Sequence, residues 1–219
     1  QRRIAVTGSA TPLMRENVES GVGRWQTLRI ATLSFFEFLQ IRETELPALP
    51  AVASLNQLAR WSPAEFARVS VIAAPIVSHF HEYLLRGGFP QSARIPTVDE
   101  AQRLLREDIV DKVLKRDMTA MFGVRRVVEL EQVFLYLCLH DGGILNLLDL
   151  CKNLELKRST VENFIDLLEA AHLIYQLKPL GYGKEVLRGR RKVYLADPAI
   201  ASSVLLRGRS LLEDDTHLG

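Results

Sequence analysis

Cysteine is scarce: the 219-residue chain holds two, Cys138 and Cys151. Both stand among apolar neighbours and read as buried reduced thiols. That excludes a disulfide-stapled scaffold and leads to an expectation of a cytoplasmic protein. No apolar run approaches the length of a membrane-spanning helix, and no signal-peptide pattern opens the chain. An excess of charge is also lacking. The net charge is +2, so the chain is not expected to coat nucleic acid or a membrane along its length, and any basic site must be local. There is no G-x-x-x-x-G-K-[ST] phosphate loop, no nucleophile elbow and no catalytic triad pattern. His79 and His81, two apart on a helix, point to different faces. Cys138, His140 and Cys151 lack the spacing of a zinc site, so no metal is expected. Repeats and low-complexity tracts are absent. The start at Gln1 rather than Met leads to the expectation of a fragment or a processed chain.

What is there is ordinary globular composition, 47% apolar and 25% charged. Four capping boxes mark helix starts: Ser34 with Glu37, Ser62 with Glu65, Thr97 with Glu100, and Ser159 with Glu162. Pro63 at a first helical position strengthens the second. Before them come a strand at Ile4–Val6, a short helix over 12–20 and a strand over 26–31. Residues 41–61, with Pro47 and Pro50, read as a loop or linker. Helices are expected over 63–69, 71–86 and 98–118, broken at "RGGFP" (86–90) and again over 118–125.

From Val127 the pattern becomes a compact unit. A helix over 127–140 precedes a short helix capped by Asn146 and a third helix over 159–171 with an apolar face at Val161, Phe164, Ile165 and Leu168. Strands over 173–177 and 192–195 follow, joined by a basic loop. Helix, short helix, turn, helix and hairpin predict a winged helix-turn-helix. Its third helix would offer Arg158, Ser159, Thr160 and Asn163 to the edges of bases in double-stranded DNA. The loop would lay Lys184, Arg188, Arg190 and Arg191 on phosphates. The same unit also fits a protein-interaction module with a solvated hairpin.

Five pieces in order, "RIAVTGSA", "GVGRWQTLRIATLSFFEFL", "YLLRGGFP", "ILNLLDLCKNLELKRSTVENFIDLLEAAHLIYQLKPL" and "RKVYLADPAI", resemble the back half of a prokaryotic AAA+-type ATPase. The family is the one whose ATPase core is followed by a DUF4143 domain. The resemblance implies that Ser9 is a polar sensor at a strand tip, with Thr7 beside it, and that Arg24 is an arginine finger acting on a second copy of the chain. It implies that Gly87, Gly88 and Pro90 form a turn approaching the adenine. ATP and Mg would belong to the intact protein, and none is expected on this chain alone, because Walker A and Walker B are missing. The resulting fold class is mainly α with minor β. It comprises a remnant of an α/β P-loop ATPase core over 1–40, a lid-like helical region over 41–122, a winged helix over 123–206 and a tail over 207–219. The two functional expectations are a piece of an ATPase and, alternatively, a winged-helix DNA-binding regulator.

Overall fold

The computed structural model describes residues 28, 30–180 and 190–213. The expected strand at Ile4–Val6 and helix over 12–20 lie outside them, and the described residues 28, 30 and 31 of the strand expected over 26–31 are not in a strand. The described residues are mainly helical, with one small antiparallel sheet.

Side-chain caps set several of the helix starts. Helix α1 (Phe35–Ile41) begins at Ser34 and α3 (Pro63–Arg86) begins at Ser62, and both capping boxes are complete. The Thr97 hydroxyl accepts the Glu100 N–H at 3.3 Å, opening α5 (Val98–Arg106). Between these lie α2 (Leu55–Leu58) and α4 (Pro90–Arg94). The sequence split expected near Ser70 does not occur. Helix α3 runs unbroken through Pro75, which costs one backbone hydrogen bond but does not stop it. It ends at Gly87, whose φ of 73° is open to glycine and strained for any other residue.

Helix α5 does not stop where its α winding stops. An 11-residue π-helical stretch, Glu107–Asp117, carries the chain into α6 (Met118–Phe122). Ile109 and Leu114, five apart, are both buried in it. Val110 and Val113, half-buried beside them, pack on the same core. Lys112 on Asp108 and Lys115 on Asp111 line the outer side.

Helices α7 (Val127–Leu139), α8 (Leu147–Leu154) and α9 (Arg158–Ala170), strands β1 (Ile174–Leu177) and β2 (Lys192–Leu195), and α10 (Ala199–Val204) complete the body before a final 3-10 turn at Gly208–Glu213. One apolar core runs from Leu105 to Val204 and continues across position 122. Every residue of α10 is buried, and its small side chains let it pass against α3, α5 and α7. A second small cluster joins Phe38, Leu39 and Ala93.

Two buried polar groups tie distant segments together. Arg86 donates to the carbonyls of Ile95 at 2.5 Å and Pro96 at 2.9 Å, fixing the turn into α5. Asp197 accepts the Gly88 N–H at 2.7 Å and the Ala199 N–H at 3.0 Å. The Gly88 carbonyl in turn accepts the Leu33 N–H at 2.7 Å. A Cβ at Gly87 would lie 2.1 Å from Asp197 Oδ1, and one at Gly88 would lie 2.3 Å from the Leu33 carbonyl. The glycines are therefore needed where three chain segments meet.

Candidate nucleic-acid interface

The turn after α7 is more than a connection. Ile144 bridges Lys192, the Leu145 N–H donates to the Arg191 carbonyl at 2.8 Å, and the Gly142 N–H donates to the Val193 carbonyl at 2.9 Å. The turn thus lies along β2 on the side away from β1, which pairs Ile174 with Leu195 through Leu177 with Lys192. Asp141 Oδ1 adds a bond from the Leu195 N–H at 2.8 Å.

Helix α8 starts at Asn146, whose side chain accepts the Asp149 N–H. It ends at Glu155 in a left-handed conformation, with φ of 54°. Leu156 is buried and plugs the turn into α9. The expected cap at Ser159 is not used. Helix α9 starts one residue earlier, at Arg158, with Lys157 in the cap position and no side-chain capping bond. Its buried face is Val161, Phe164, Ile165, Leu167 and Leu168.

Its outward face mixes signs. Lys157, Arg158, Ser159, Asn163 and Asp166 are exposed and Thr160 is half-buried. Arg158 Nε donates to Glu162 Oε1 at 2.9 Å. Further along, Gln176 of β1 joins the hairpin to the helix. Its N–H donates to Glu169 Oε1 at 2.9 Å and its Nε2 to Glu169 Oε2 at 2.8 Å. Arg191 Nη1 donates to Gln176 Oε1 at 3.0 Å, so this guanidinium is held over the sheet rather than free in a loop. Arg190, Lys192 and Lys178 are exposed. Lys184 and Arg188 lie outside the described residues, as do Thr7, Ser9 and Arg24. Charge in the sequence pointed to the basic positions, but no local signal marked Gln176 or the strand-like turn at Ile144.

A cavity of about 200 Å³ opens between α7 and α8, lined by Tyr136, His140, Ile144, Asn146, Asp149 and Val193. It is smaller than the usual ligand pocket. Burial first, and then the Asp149 charge, push the Tyr136 hydroxyl above its ordinary range. Among the described residues no group of His, Cys, Asp and Glu could hold a metal ion, and no helix is long and apolar enough to cross a membrane. Cys138 is buried, but Cys151 is only partly so.

A family model described as "Domain of unknown function (DUF8612)" matches residues 77–211. The chain belongs to the DUF8612 family. No curated protein and no solved structure matches it. The matched stretch begins within α3, includes the Arg86–Pro90 turn and ends in the final 3-10 turn. This overturns the membership expected from the five sequence pieces, because neither an AAA+ nor a DUF4143 model matches. The roles drawn from that resemblance lose their basis with it: Ser9 and Thr7 as sensors, Arg24 as a finger, and Gly87, Gly88 and Pro90 at an adenine. The pieces misled because RGGFP and the helical unit after it are packing signals. In the DUF8612 fold, Gly87 and Gly88 answer to Asp197 and Leu33.

Proposed function

We propose that this DUF8612 chain is a winged-helix module that holds double-stranded DNA mainly by its phosphates, with the β1–β2 hairpin as the wing. The observation that carries the reading is the order of α7, the bridging turn at Ile144, α8, α9 and the hairpin, with cations at its two outer edges. Lys157 and Arg158 stand at the start of α9, and Lys178, Arg190, Arg191 and Lys192 stand at the hairpin. The start of a third helix in such a unit faces the major groove, and the wing lies on the flanking backbone. The loop sequence between the strands adds Lys184 and Arg188 against Glu185.

The middle of α9 carries Glu162, Asp166 and Glu169, which repel phosphates and offer only acceptors to bases. The edges would therefore supply the affinity, and sequence preference would be weak. Fluorescence anisotropy of a labelled duplex against salt tests this. Four phosphates neutralised would give a log–log slope of about −3.6. Arg190→Ala with Arg191→Ala should make that slope shallower by about two. No binding at low salt, or an unchanged slope in the double variant, would remove the DNA reading. The acids of α9 would then favour the second reading, a docking face for a basic protein surface.

A further inference from the structure

The β1–β2 hairpin turns one face to the core and the other outward. The core takes Ile174 from β1, and Val193 and Leu195 from β2. Side chains alternate along a strand, so Tyr175, Leu177, Lys192 and Tyr194 stand on the other side. The register sets Tyr175 directly opposite Tyr194, and Leu177 directly opposite Lys192. Ile144 bridges Lys192 from the other edge of β2. The outer face thus has two rows, one of two rings and one with a cation between two aliphatic side chains. Tyr175 is 40% exposed, Leu177 55% and Ile144 59%, while Lys192 is exposed and Tyr194 half-buried. A Cβ at Gly142 would stand 3.4 Å from Tyr194 Cε1, so this ring lies beside bare glycine backbone. The open face of an antiparallel sheet ordinarily carries polar residues. This one offers rings and aliphatic surface around a lysine.

Charge identifies the occupant. Residues 173–180 and 190–195 hold four cations, Lys178, Arg190, Arg191 and Lys192, and no Asp or Glu. The acids of α9 that reach the hairpin, Asp166 and Glu169, bond to Gln176 on its inner side. Asp141, at the edge, accepts the Leu195 N–H. Rings set among cations suit a polyanion that presents flat π-faces, which is a nucleic acid strand. In a duplex those faces are covered by neighbouring bases, so the strand must be unpaired. We infer that the outer face of the β1–β2 hairpin binds single-stranded nucleic acid, with bases stacked on Tyr175 and Tyr194 and a phosphate on Lys192. The site shares cations with the duplex reading but makes no use of α9 and does not rest on that reading.

The test is fluorescence anisotropy of the full chain with a labelled oligo(dT) of about twelve residues, beside the labelled duplex. Tyr175→Phe keeps the ring and should bind oligo(dT) as the parent does. Tyr175→Leu keeps apolar bulk without a ring. It should weaken oligo(dT) about tenfold, leave the salt slope unchanged and leave duplex affinity unchanged. Lys192→Gln should make the oligo(dT) slope shallower by about 0.7. A readout independent of any variant is photocrosslinking of the parent chain to oligo(dT) carrying 5-iodouracil, which should map to Tyr175 or Tyr194. Binding of oligo(dT) but not of duplex supports this site and removes only the α9 reading. Binding of duplex but not of oligo(dT) at about 50 mM salt overturns this site and leaves that reading standing. Full affinity in Tyr175→Leu overturns it too, since charge alone would then hold the strand. So does an equal loss for duplex and oligo(dT). Vesicles containing phosphatidylserine that bind the parent, fail to bind Tyr175→Leu and are not displaced by oligo(dT) would overturn it by making this a lipid-facing surface.

Discussion

The Asp197 carboxylate accepts the Gly88 N–H at 2.7 Å across 109 positions of sequence. The bond joins the turn after β2 to the turn after α3. On the far side of Gly88, the Leu33 N–H donates to its carbonyl. Losing either glycine breaks this meeting point. Gly87→Ala must place a Cβ 2.1 Å from Asp197 Oδ1 on a backbone with φ of 73°. We predict a loss of about 3 kcal/mol, from overpacking together with left-handed strain. The urea midpoint measures it, and a loss below about 1 kcal/mol would show that the turn rearranges freely.

Burial raises the Asp197 carboxyl above its ordinary range, while the Gly88 and Ala199 N–H groups and Thr32 pull it back. The unfolded chain holds such a carboxyl near about 3.9, so the native state binds the proton more tightly. The contribution is therefore present below the unfolded value and lost as pH rises through the folded one. Asp197→Asn cannot titrate. The stability advantage of the parent chain over this variant should shrink as pH rises above about 4 in paired urea melts. An advantage that grows with pH would mean that the N–H donors win and hold the anion.

Burial, with Asp141 nearby, drives the Cys138 thiol far above its usual range, whereas Cys151 is partly exposed. Thiolate is the reactive form. Titration of the native chain with a thiol reagent should label Cys151 quickly and Cys138 only on unfolding. Equal rates would point to opening of α7.

Gln176 is the polar link between hairpin and α9, with three partners in Glu169, Asp166 and Arg191. Gln176→Ala should cost about 1 kcal/mol, because Glu169 is not fully buried and regains water. It frees Arg191 as well. If the DNA reading holds, affinity should fall while the salt slope stays, since no phosphate contact is removed. A combined thermal melt and anisotropy titration separates the two effects.

Capping supplies a paired test. Asn146→Ala should cost about 1 kcal/mol, while Ser159→Ala should be nearly neutral, because α9 begins before it. Equal losses in two thermal melts would put the start of α9 back at Ser159.

Which features were legible follows from the range over which they are encoded. Ser34 and Ser62 reach only three residues to Glu37 and Glu65, so their caps stand in the sequence. Ser159 carries the same signature but fails, because burial of Leu156 tightens the turn and starts the helix early. The Gly88–Asp197 bond has no local mark at all. The π-helical winding was hidden because Leu105, Ile109, Val113 and Leu114 recur at spacings that also suit an α-helix. Exposed bases could be read from charge, but the hold of Gln176 on Arg191 could not, since it depends on the β1–β2 register. The nucleotide roles of Thr7, Ser9 and Arg24 came from resemblance rather than from their own chemistry.

The stretch Glu107–Asp117 makes about two and a half turns with 11 residues, where α winding would make about three. It therefore sets the angular phase between α5 and α6, aiming Met118 into the core, where it is 0% exposed. Relatives lacking about two residues here could rewind the stretch as plain α-helix and keep every flanking side chain on its own face. This segment is the place where the fold can absorb a change in chain length without altering what lies on either side.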